Sequence, residues 1–180
     1  MKYHYRFKDL TREQERDNFF RRHRPEVIFT VPYDDHSFFL AGRYRGTGSV
    51  MKFDKKNAQL RFFTQLEGLT HVTAIATTID KREEYFFGCG YDDYEERDKT
   101  KRENDAWIFR IEDDGEVRWS IRMAGKKPTM RSKGSDLCNG LHYNDATHSL
   151  AALVHTKSKQ WRLGPKIDDF HDAILVIITN

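Results

Sequence analysis

The feature that most limits what this chain can fold into is that it repeats itself. Three short apolar runs with small residues inside them recur: Phe39-Leu40-Ala41-Gly42-Arg43-Tyr44, Phe86-Phe87-Gly88-Cys89-Gly90-Tyr91 and, more loosely, Leu150-Ala151-Ala152-Leu153-Val154-His155. Aligned on their first residues, they place Phe39, Phe86 and Leu150 together. Glycine and alanine inside such runs let neighbouring backbones approach closely. Internal self-similarity of this kind points to repeated supersecondary units.

Each run is followed by a second: Ser49 to Asp54, Asp105 to Glu112, and Asp172 to Ile178. In the first two units a tight turn and a third run come next. Lys55 to Phe62 parallels Asp113 to Trp119 with one inserted residue, so Asn57 and Gly115 share the position expected to need a left-handed backbone. Phe62 and Trp119 then pack across their hairpins. A further run precedes each unit, at Val27 to Val31, His71 to Ala76, and Leu137 to Tyr143. Roughly four short strands in 45 to 65 residues is the dimension of one propeller blade.

The middle unit carries a resemblance. Gly90, Tyr91, Asp105, Trp107, Asp114, Gly115, Trp119 and Gly125 fall as in the bacterial-type, quinoprotein-like and WD40-like β-propeller repeats: a glycine-containing strand, a loop, Asp with an apolar strand, Asp-x-x-Gly, then Trp. The first unit resembles this with Asn57 for Gly and Phe62 for Trp. The third repeats only the part ending at His171-Asp172-Ala173-Ile174. The resemblance spans about residues 26–180 and implies an all-β fold class: antiparallel four-stranded blade repeats of a partial β-propeller. It carries over no cofactor ligand. The expected organisation is an extension over 1–25 and three units at about 26–66, 70–124 and 136–180. Rings usually close with four to eight blades, so a longer protein, a partner subunit or self-association is expected to complete this one.

The extension reads as a short basic helix. Thr11-Arg12-Glu13-Gln14 fits a capping box, and Pro25 stops the helix that this box opens. Thirteen Phe, eight Tyr and three Trp supply the burial that disordered chains lack. Charge is uneven: residues 1–24 hold eight Lys/Arg against four Asp/Glu, residues 124–163 seven against two, and residues 80–116 seven against fourteen. Such a dipolar surface suits a charged partner. No apolar run reaches the roughly 20 residues of a membrane span, and the N-terminus has no apolar signal core. Cys89 and Cys138 are too few for a disulfide framework, so they read as reduced core thiols in an intracellular protein.

Catalytic readings lose to plainer ones. His142, His148, His155 and His171, with Asp136, Asp145, Asp169 and Asp172, fall on different strands and turns, which opposes a tetrahedral zinc site. The acidic run from Tyr91 to Asp98 lacks the glycine and ligand spacing of a calcium loop and reads as a solvated connection. The pairs Asp34-Asp35, Asp92-Asp93, Asp113-Asp114 and Asp168-Asp169 sit at turns and face opposite ways. No nucleophile elbow or phosphate loop is present. The function expected is a non-catalytic interaction scaffold without cofactor. Its loops at 92–104 and 124–136 meet a protein partner, with Lys126, Lys127, Arg131, Lys133, Arg21 and Arg22 as contact residues. The basic stretch lacks interleaved aromatics, which disfavours nucleic acid. The alternative is a carbohydrate- or small-ligand-binding propeller, alone or within a hydrolase, with Trp161 as the stacking platform and Trp107 and Trp119 buried.

Overall fold

The computed structural model describes residues 26–32, 36–57, 59–78, 85–92, 94–95, 102–123, 136–156 and 172–179, with backbone alone at 26–32, 85, 94–95, 102–103 and 172. The expected N-terminal helix lies outside these residues. Among them every regular element is a strand. The first sheet runs β1 (Glu26–Pro32), β2 (Ser37–Tyr44), β3 (Thr47–Asp54), β4 (Leu60–Leu66). The second runs β5 (His71–Thr77), β6 (Tyr85–Tyr91), β9 (Ala106–Glu112), β10 (Val117–Met123), with the short ribbon β7 (Tyr94–Glu95) and β8 (Arg102–Glu103) between β6 and β9. The third holds β11 (Asp136–Asn144), β12 (Ser149–Thr156) and β13 (Asp172–Thr179). Each pairing is antiparallel. Each apolar run read from the sequence is therefore a strand.

The three sheets share more than strand order. Their first strands each carry one bulged residue at the same place, opposite the second strand: Ile28 in β1, Thr73 in β5 and Asn139 in β11. The fourth strands of the first two sheets each carry another, at Arg61 and Arg118, immediately before Phe62 and Trp119. Bulges are specific features that bend a strand, so their coincidence fixes a common register. Anchored on them, Phe38, Phe86 and Leu150 are equivalent, as are Ala41, Cys89 and Leu153. This corrects the sequence alignment of the first unit by one residue. The difference matters, because a slip of one reverses every side chain's face. Phe39 is equivalent to Phe87, and both point toward the sheet that comes next in the chain.

The sheets stack face to face in chain order. Phe39, Ala41, Val50, Phe62 and Leu66 of the first meet Val72, Phe86, Phe109 and Ile111 of the second. The opposite face of the second, with Phe87, Cys89, Ala106 and Ile108, meets Cys138, Tyr143, Leu150, Ala152 and Val154 of the third. Each large side chain so buried contributes about 1.5–3 kcal/mol. β9 serves both contacts, which explains why its sequence is almost wholly apolar instead of alternating.

Close approach sets two glycines. A Cβ on Gly90 would lie 1.8 Å from the carbonyl oxygen of His71 on the neighbouring strand, where nothing can yield. Gly115 turns β9 into β10 with φ of 92° while its Cα faces the Phe62 ring across the sheet boundary. Asn57 does not share that left-handed geometry: among the described residues the non-glycine positive φ values belong to Arg45 and His148. Its side chain shapes the turn by another means, with Asn57 Oδ1 accepting from the Gln59 N–H at 2.9 Å.

Polar and covalent ties pin the stack. Lys52, buried in the first sheet, pairs with Asp113 at the β9–β10 turn, and Thr64 Oγ1 donates to Gly115 O at 2.6 Å. Between the second and third sheets, Thr73 donates to Cys138 O, and Cys89 is joined to Cys138 in a disulfide with Cα atoms 5.8 Å apart. The expectation of reduced thiols is thus corrected: each cysteine sits alone on its strand, but stacking sets the two face to face. The bond closes a sequence separation of 49 residues. Its removal, by Cys89→Ser with Cys138→Ser or by reductant, should cost about 2–4 kcal/mol. Urea unfolding with and without reductant measures this, and equal midpoints would show that the thiols are not paired.

Candidate interaction surface

A connected polar group of described residues is built at the exit of β6. Asp92 is buried there, which corrects its assignment to a solvated connection. Its Oδ1 accepts from the Asp105 N–H at 2.7 Å and its Oδ2 from Trp107 Nε1 at 3.1 Å. Arg122 reaches across from β10 to both acids, 3.1 Å from Asp92 and 2.6 Å from Asp105, and its guanidinium lies 5.7 Å from the Trp107 ring centre. The ribbon β7–β8 is thereby clamped at its base, with Asp92 N–H donating to Asp105 O at 3.1 Å. A similar tie opens the third sheet, where Thr156 donates to the buried Asp136. These acids hold strands in place. Among the described residues no group of three or more His, Cys, Asp or Glu is arranged to hold a metal ion.

Burial, followed by the neighbouring Asp92 charge, raises the Asp105 carboxyl above its ordinary value of 3.8, against the pull of Arg122. The acidic loop seen in the sequence gave no sign of this cluster, because Arg122 is 17 residues downstream of Asp105 and joins it only through the β9–β10 pairing.

The residues nominated from sequence fall largely elsewhere. Lys126, Lys127, Arg131, Lys133, Arg21, Arg22 and Trp161 all lie outside the described residues. Trp107 and Trp119 are half-buried; the first is bonded to Asp92, and the second packs on Phe87 with ring centres 5.9 Å apart. His142 and His148 are exposed, and His155 is half-buried on β12.

Sequence reasoning missed the outer face of the third sheet. By the shared register Leu175 stands where Val50 and Ile108 stand in the other sheets. Val50 and Ile108 are fully covered by the next sheet, at 0% exposure, whereas Leu175 is 62% exposed. Ile177 beside it is 61% exposed and Leu153, its neighbour across the ladder, 40%. Ala151 and Ala173 lie on the same face of β12 and β13, together with the half-buried His155 that pairs with Ala173. The signal that could have found it is the strict alternation in Ala173-Ile174-Leu175-Val176-Ile177-Ile178, in which both sets are apolar. The described residues contain no helix long and apolar enough to cross a membrane. Comparison with protein-family models and with curated proteins gave no match.

The sign of the Asp105 shift gives a prediction. A carboxyl raised in the folded chain binds protons more readily there than when unfolded. Its contribution to stability is therefore greatest at low pH and falls as pH rises from the ordinary value through the raised one. Asp105→Asn should flatten the pH dependence of unfolding in that window. Asp92→Ala, by orphaning the Asp105 N–H and Trp107 Nε1, should instead destabilise at all pH values, by about 1–3 kcal/mol. Urea unfolding over a pH series tests both; an unchanged slope in Asp105→Asn would contradict the first.

Proposed function

We propose that the chain is a non-catalytic scaffold of consecutive β-propeller-type blades, which works by docking another polypeptide against the outer face of the third sheet. The observation that carries this reading is the contrast between Val50 and Ile108, fully covered, and Leu175, largely open, at one shared register position. Exposed apolar strips on a well-packed body mark contact surfaces. The meander order of each sheet and the repeated bulges support the blade reading. The non-catalytic reading rests on the polar side chains: Asp92, Asp105, Arg122 and Trp107 engage one another.

In this proposal the charged loops at 92–104 and 124–136 select among partners electrostatically. A disulfide between the second and third sheets fits an oxidising compartment, and we propose that setting in place of the cell interior.

A photo-crosslinking residue at position 175 tests the docking reading in cells, with the same residue at exposed position 118 as control. Adducts concentrated at 175 are the expected outcome. Equal or absent adducts at the two positions would overturn it.

A further inference from the structure

We infer that residues 5–8 of this chain add to the outer edge of β13 as the fourth strand of the third sheet, with Phe7 opposite Ile177. The inference stands on the shared strand register and not on the docking reading. Residues 5–8 lie outside the described residues, so the argument for them is their sequence set against the sheets that are described.

The acceptor is an edge. In the first two sheets the third strand is paired with a fourth, β3 with β4 and β9 with β10. Among the described residues β13 pairs with β12 alone. The backbone groups along such an edge are a template for one more strand, and the run from Ile174 to Ile178 is apolar on both faces.

The donor is named by a repeated triplet. Both fourth strands open with a large apolar residue, an arginine and an aromatic: Leu60-Arg61-Phe62 and Val117-Arg118-Trp119. In each the arginine is the bulged residue, and the aromatic meets the same position of the third strand, Phe62 opposite Lys52 and Trp119 opposite Arg110. Elsewhere in the sequence a large apolar or aromatic residue, an arginine and an aromatic follow one another only in Tyr5-Arg6-Phe7. Its place in the chain agrees. Phe62 stands nine residues ahead of β5, Trp119 17 ahead of β11, and Phe7 19 ahead of β1. Each triplet thus precedes the first strand of a sheet.

Register then sets the fit. With Arg6 bulged like Arg61 and Arg118, Phe7 falls opposite Ile177 and Tyr5 opposite Ile178. Ile177 is the counterpart of Lys52 and Arg110, and Ile178 that of Phe53 and Ile111. Phe62 and Trp119 each reach a phenylalanine of the second strand, Phe39 at 6.2 Å and Phe87 at 5.9 Å between ring centres. The third sheet has the small Ala151 at that position, paired with an Ile177 that is 61% exposed. An aromatic ring added there gains apolar contact on both.

The tether is long enough. The 18 residues between Phe7 and Glu26 span up to about 60 Å when extended. Two sheet spacings of about 10 Å and three strand spacings of about 4.8 Å come to roughly 35 Å. A segment so tethered stays near its own edge, which favours capture within one chain over exchange between copies.

Nuclear Overhauser spectroscopy on the whole chain tests this, with mixed labelled and unlabelled copies to show which chain supplies the strand. Cross-peaks from the Phe7 ring to the Ile177 methyls and from the Tyr5 ring to those of Ile178, within one chain, are expected. Tyr5→Ser with Phe7→Ser should then speed amide exchange in β13 by roughly tenfold or more while β3 and β9 stay protected. Phe20→Ser, an aromatic of the same extension outside the triplet, should leave β13 exchange unchanged. Absence of the Phe7–Ile177 cross-peaks in the unsubstituted chain would overturn the inference. So would their appearance only between labelled and unlabelled copies, since the strand would then come from a second chain.

Discussion

Everything in this fold depends on one packing constraint: an antiparallel sheet that is apolar on both faces needs a neighbour on each. The middle sheet satisfies it. β9 sends Ala106 and Ile108 to one side and Phe109 and Ile111 to the other, and all four are buried. The two outer sheets exist in their observed form because they cover those faces. The same demand then passes outward. It is met at the centre of the first sheet, where Phe53 and Met51 are buried, and unmet on the third, where Leu175 and Ile177 face solvent. Function is read from that asymmetry.

Sliding of one sheet over another is opposed by groups that fix position more than they add energy. Lys52 with Asp113, Thr64 with Gly115, and Thr73 with Cys138 each bridge a sheet boundary at one point. A partly exposed ion pair such as the first is worth little in water, but its geometry admits one register. The Cys89–Cys138 bond does the same covalently for the second boundary. At the rim, Asp92 organises the β6–β9 connection through three partners, so the acidic character of this segment serves the backbone first.

Much of the architecture was legible in the sequence because strand signals are local. Alternation, glycine spacing and turn residues located each described strand of the three sheets, and Gly115 took the left-handed backbone assigned to it. What was not legible is whatever arises between strands. Pairing register leaves no local mark in the sequence, so aligning Phe39 with Phe86 put equivalent positions on opposite faces. The cysteines looked solitary since 49 residues separate them, and only sheet stacking joins them. The exposed strip escaped notice for a similar reason: Leu175 is as apolar as Ile108, and nothing local tells which of the two will be covered.

The central claim is the serial stacking of sheets in a common register, and methyl NOE spectroscopy on selectively labelled chain tests it most directly. The account predicts cross-peaks from Val50 into the Val72–Ile111 cluster and from Ile108 into the Leu150–Val154 cluster. It also predicts that the Leu175 methyls give none to the first or second sheet. Cross-peaks from Leu175 to Val50 or Ile108 would contradict it, for they would mean that the sheets stack in another order or on other faces.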